Sequence, residues 1–165
     1  MRKITRGVAK KLAKKYLLRS NVDTYHFIHT KKVVQAVQLI SRGRKLNEEI
    51  LEICAWTHDI GYYIDKNNFI ENCHPHAENS INLLKKEGYE VNKKIEDCIL
   101  NHGSKGNPKT NEGKVLQIAV KFNIIDKDFL QYLIEERAGG KEVEFLKKRT
   151  ESAVKMLRKL RKLKI

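Results

Sequence analysis

Residues 55–63 read AWTHDIGYY, and the His58-Asp59 pair inside that string decides how the rest of the chain is read. Upstream of the pair, Ile50, Cys54 and His58 recur at intervals of four, flanked by Leu51 and Ala55. That spacing lays them along one face of a helix. Asn47 is a good N-cap, and Glu48 and Glu49 in the first turn suit the helix dipole. Gly61 is read as the glycine that stops the helix. Adjacent helical residues point about 100° apart, so His58 and Asp59 grip one ion only if it lies beside the helix end. An ionised aspartate on such an apolar helix is costly without a positive partner. A metal ion would supply that charge; the plainer alternative is an Asp59 that accepts hydrogen bonds near the helix end.

Working outward, helical periodicity dominates and strand-like alternation is hard to find. A segment near 5–19 places Val8, Leu12 and Tyr16 on one face among lysines. A second helix runs from Tyr25 to Ser41 and stops at Gly43, with His29, Val33, Ala36/Val37 and Ile40 inward. A fourth runs from His76 to Gly88 with His76, Ser80 and Leu83/Leu84 on one side. Asn92 caps a fifth, whose stripe is Ile95, Cys98/Ile99 and His102. Residues 103–112, GSKGNPKTNE, form a polar loop rich in turn formers. A sixth helix spans 113–135, and Lys141 to Lys164 forms a last basic amphipathic helix. The expected fold is all-α: one bundle of six to seven helices over residues 1–165, without a repeat, a low-complexity linker or a second domain.

The chain has 165 residues, 41% of them hydrophobic, enough for one domain with its own core. Cys54, Cys73 and Cys98 are odd in number, widely spaced and without a CxxC pair. Neither a disulfide framework nor a zinc knuckle is indicated. The basic first twenty residues hold no apolar run long enough for a signal peptide. No stretch approaches the ~20 apolar residues that cross a bilayer. A soluble cytoplasmic protein is expected. The formal net charge of +14 gathers at the two ends, from Arg2 to Arg19 and from Lys147 to Lys164. Such ends could hold a nucleic acid, although solvated faces of terminal helices explain them more simply. A single Trp lends little support to base stacking.

The histidines carry more information. His29, His58, His76 and His102 each fall on the apolar stripe of a different expected helix. A single such residue is usually a satisfied core histidine. Four on converging stripes each need a hydrogen-bond partner or a metal, and imidazole is a natural ligand for divalent transition metals.

His29, then His58-Asp59 in AWTHDIGYY, then His76 in HAENSINLLKKEGY, then His102 in ILNHGS resemble the HD superfamily of metal-dependent phosphohydrolases, over residues 25–125. The dipeptide alone is a weak signal; the ordered set with the HDIG string is specific. The resemblance implies an HD-type helical bundle in which His29, His58 and Asp59 bind a divalent metal. It also implies that His76 and His102 bind a second metal or contact the substrate phosphate. Lys32 falls where many relatives carry a basic residue near the site, and a solvated helix surface is the equal alternative. The N/O ligand set suits Mn, Fe, Zn, Ni or Co.

One position departs from the family pattern. Its metal-binding set normally closes with an aspartate on a later helix, and in KVLQIAVKFN (114–123) that position is Val120, which cannot bind metal. Asp126 is six residues on, roughly 9 Å along a helix axis. It lines up with Val115, Ala119 and Phe122, and a polar residue where the helix surfaces is the simpler reading. The resulting expectation is a hydrolase acting on a nucleotide or other small phosphorylated molecule. Lys32, and Lys105 or Lys109, would attract its anionic substrate, and His76 and His102 would serve the transferring group. The alternative is an HD-fold module, impaired in catalysis, that binds nucleotide or nucleic acid through its basic surface.

Overall fold

The computed structural model describes residues 1–18, 24–63 and 75–122. Its elements are α1 (Arg6–Leu17), α2 (Thr24–Ser41), α3 (Glu48–Thr57), a short 3₁₀ turn (Ile60–Tyr63), α4 (Pro75–Lys86), α5 (Lys93–Leu100) and α6 (Asn111–Phe122). Among the described residues the only β pairing is an isolated bridge between Arg2 and Tyr89. The all-helical expectation is met. The later part of the sixth expected helix, the basic terminal helix, Asp126 and Cys73 lie outside the described residues.

The helices start and stop for local chemical reasons. Asn47 Oδ1 accepts the Ile50 amide at 3.0 Å, and Asn92 Oδ1 accepts those of Lys94 and Ile95. Each such cap stabilises its helix by about 1 kcal/mol. Pro75 occupies the first position of α4, where its missing N–H is no loss. Beyond α2 and α4, Gly43 and Gly88 take φ of 73° and 83°, a backbone region open to glycine.

α3 is the central element, packed against α1, α2, α5 and α6. Val33 and Val37 from α2, Leu51 and Cys54 from α3, Leu84 from α4, Ile99 from α5 and Leu116 from α6 are buried together. The inward stripes expected for α4 (His76, Ser80, Leu83, Leu84) and α5 (Ile95, Cys98, Ile99, His102) are buried throughout. Through this packing the ends of α3 and α5 and the start of α4 converge on one interior point.

One helix end differs from expectation. α3 stops at Thr57, not at Gly61, and Gly61 does not adopt a left-handed cap. Its role is close approach. A Cβ on Gly61 would lie 1.9 Å from the His76 carbonyl oxygen and 2.6 Å from the Ser80 amide. The bare glycine lets the 3₁₀ turn lie directly against the first turn of α4.

Candidate metal centre

His29 projects from α2, His58 and Asp59 from the end of α3, His76 from the first turn of α4 and His102 from just beyond α5. All five are buried, His58 completely. The four imidazoles turn Nε2 towards one carboxylate. Asp59 Oδ2 lies 3.2 Å from His58 and 3.5 Å from His29, while Oδ1 lies 3.5 Å from His102 and 3.6 Å from His76. The two pairs close on themselves as well. His29 and His58 are 3.4 Å apart, and His76 and His102 3.0 Å, measured between Nε2 atoms.

These spacings suit a cation. Donors held about 2.1 Å from one ion at tetrahedral angles sit roughly 3.4 Å from one another. Two triads match, His29–His58–Asp59 and Asp59–His76–His102, with Asp59 common to both. The ring orientations fit too. His58 directs Nδ1 at the Ala55 carbonyl (2.9 Å), and His102 directs Nδ1 at that of Ile99. A neutral imidazole that donates from Nδ1 presents a lone pair at Nε2, and such carbonyl partners fix ligand histidines in metal sites.

Electrostatics favour an ionised Asp59. Burial alone would raise its carboxyl, but His58, His102 and His29 hold it well below the usual carboxylate range. Burial lowers His76 to about 4, against the pull of Asp59, with His102 and His58 adding to the drop. An imidazole in that state keeps its lone pair at neutral pH. The buried Cys54 thiol is pushed well up by desolvation and then by Cys98, so it stays protonated and packs as a small apolar group.

The surrounding frame is tightly bonded. The Ser80 hydroxyl accepts the Gly61 amide at 2.8 Å and lies 2.8 and 2.9 Å from the carbonyls of His58 and His76. Behind His102, Asp97 accepts the amides of Lys109 and Thr110, the Thr110 hydroxyl and the Asn101 amide group. Gln117 Nε2 reaches the carbonyls of Asn101, Gly103 and Gly106. Together they fix the loop that leaves His102.

The structure therefore brings His29, His58, Asp59, His76 and His102 together. Lys32 sits on α2 one turn beyond His29 and is half-buried, and Lys105 and Lys109 are exposed on the loop after His102. Val120 is partly buried and packs against the core. Sequence reasoning passed over His26 and Tyr62, which stack beside the centre, and over Asp97 and Gln117. His26 was within reach, standing three residues before His29 on the same helix. Tyr62 was not, because a 3₁₀ turn has no hydrophobic period to follow.

The sequence profile of the HD domain matches residues 26–122, more than half of the chain. The chain belongs to the HD domain family. A deoxyguanosinetriphosphate triphosphohydrolase-like protein of Caldanaerobacter subterraneus subsp. tengcongensis is 32% identical over 112 residues, covering 61% of this chain and 33% of that protein. Proteins of the same description from Clostridium perfringens and Clostridium tetani are each 30% identical, over 129 and 118 residues, covering 67% and 61% of this chain. The chain spans about a third of the length of these relatives, 33–38%. No solved structure matches it. Among the described residues, no helix of this HD-domain chain is long and apolar enough to cross a membrane.

Proposed function

We propose that this HD-domain protein is a metal-dependent phosphohydrolase acting on a nucleotide, with a nucleoside triphosphate as the first substrate to test. The observation that carries this reading is Asp59 lying between two histidine pairs at ligand spacing. His29, His58 and Asp59 would hold one divalent ion; Asp59, His76 and His102 would hold another. Such an ion, when bound, supplies Lewis-acid polarisation of a phosphoryl oxygen and acidification of water. Asp59 contributes a buried negative charge, and the carbonyl-anchored His58 and His102 keep their Nε2 atoms aimed inward. His76 is neutral at physiological pH, which suits a ligand better than a proton donor. Lys32, Lys105 and Lys109 would draw in the anionic substrate.

The names of the relatives support a nucleotide substrate. The direct test is hydrolysis of a deoxynucleoside and ribonucleoside triphosphate panel in Mn, Co, Ni, Zn or Fe(II). His58→Ala and Asp59→Ala should abolish turnover; full activity in either variant contradicts the reading.

Val120, standing where the family has a metal-binding aspartate, favours a second reading: an HD-fold module that binds nucleotide or nucleic acid without hydrolysing it. Binding of a polyanion through many phosphates falls steeply with salt, whereas turnover of a small substrate does not. Against a nucleic-acid surface on α1, two of its cations have acidic partners within the chain. Arg6 pairs with Glu52 at 3.5 Å, and Lys15 pairs with Glu87.

A further inference from the structure

Three of the centre's histidines are oriented by visible contacts, and one differs from the other two. His58 and His102 stand at or just beyond helix C-termini, where a carbonyl three residues back accepts their Nδ1 proton. His76 is the second residue of α4, with no preceding helical turn to offer such a carbonyl. Its Nδ1 is buried without a hydrogen-bond partner. Among the described residues its ring's only hydrogen bond, from Nε2 to His102, leaves the Nδ1 edge of the ring to be held by packing.

The Tyr62 ring lies flat on the His76 imidazole, with centroids 4.3 Å apart and planes 6° apart. His26 stacks on the Tyr62 ring in turn, at 4.3 Å and 28°. Tyr62 has a fixed base. Its amide donates to the Asp59 carbonyl at 3.1 Å, and the neighbouring Gly61 amide is held by Ser80. The turn that carries Asp59 thus also carries the aromatic face against which His76 rests.

We propose that Tyr62, backed by His26, is the positioning residue for His76. Its ring face holds the imidazole where Nε2 meets Asp59 and His102, and so sets the cation affinity of that half of the centre. The proposal rests on the metal-centre reading above. It assigns to the residue after the HDIG string an orienting role exerted through its aromatic face.

The test uses chelator-treated wild-type, Tyr62→Phe and Tyr62→Leu proteins titrated with Co(II). Visible absorption reads ligand geometry, and competition with a chelator reads affinity. Outer contacts of metal ligands are commonly worth 10–100-fold in affinity, so Tyr62→Leu should bind about tenfold more weakly with a shifted spectrum. Tyr62→Phe should match wild type. The melting temperatures of the metal-free proteins separate a local effect from loss of fold. Should Tyr62→Leu not fold, Tyr62→Met, which fills the space without a ring face, carries the same comparison. A leucine or methionine variant with wild-type affinity and spectrum overturns the assignment, as does a Tyr62→Phe variant as weak as Tyr62→Leu. Wild-type protein that takes up no Co(II) overturns the metal-centre reading, and this inference with it.

Discussion

His76 and His102 bring their Nε2 atoms to 3.0 Å of each other, although they come from helices that start and end at this point from opposite directions. Two imidazole Nε2 atoms in that relation either share a proton or share an ion. His102 has its Nδ1 turned to the Ile99 carbonyl, which directs its Nε2 at His76. With an Asp59 oxygen 3.5–3.6 Å from both, the pair forms one half of the centre.

Gly61→Ala tests how closely the 3₁₀ turn must approach α4. The added methyl would meet the His76 carbonyl and the Ser80 amide, both backbone groups with little freedom to yield. The expected cost is about 2–3 kcal/mol of stability, in the upper range for overpacking. Because the push falls on His76, metal affinity should fall as well. Unfolding in urea together with metal competition checks both; a variant as stable as wild type contradicts the close-approach account.

The metal-free protein should lose stability on mild acidification. His76 titrates at about 4 when folded and near 6.5 when free. Between those values the unfolded chain holds a proton that the folded chain rejects. Stability is therefore greatest above pH 6.5 and falls as pH drops towards 4, by up to about 3 kcal/mol. Melting curves in chelator at pH 7 and pH 4.5 measure the drop. His76→Gln should flatten it, and an equal drop in that variant would remove His76 as the cause.

Asp97→Ala should act on the centre from a distance. Four donors converge on this carboxylate, and burial's upward push on it is outweighed by the hydrogen bonds from Thr110, Lys109 and Asn101. Their loss should cost about 2 kcal/mol and loosen the loop after His102. Faster amide hydrogen exchange over residues 101–110, with α1 unaffected, is the expected signature. Uniform exchange across the chain would argue against a local clamp.

Val120→Asp places a carboxylate on α6 where the family resemblance implies one. If Val120 stands at the metal-binding position, the variant should bind its weaker equivalent of metal more tightly, despite some loss of stability from a partly buried charge. Lower stability without any gain in metal binding would place residue 120 away from the centre.

Much of this molecule was legible in its sequence, for identifiable reasons. His58, His76, Ser80 and His102 lie on buried stripes because a 3.6-residue period is written directly into residue spacing. Asn47 and Asn92 cap helices as their chemistry demands. Gly61 was misread because glycine ends helices so often by its backbone freedom. Its need here, room for the α4 backbone, exists only once two distant segments meet. Tyr62 on His76 and Gln117 on the 101–106 loop are likewise tertiary pairings between unlike elements, with no period to announce them. The ion pairs of Lys3 with Glu49 and of α1 with Glu52 and Glu87 were hidden for the same reason, so the charge of this end looked more available than it is.

The most direct test of the central claim, that Asp59 and its four histidines form a metal centre, is the metal content of untagged protein by elemental mass spectrometry. Protein purified without chelator and incubated with Mn, Ni, Zn or Fe(II) should carry one to two equivalents of a transition metal. Because Asp59 belongs to both triads, Asp59→Ala should lose nearly all of it. Wild-type protein that carries no metal under any of these conditions, or an Asp59→Ala variant that carries as much as wild type, would contradict the account.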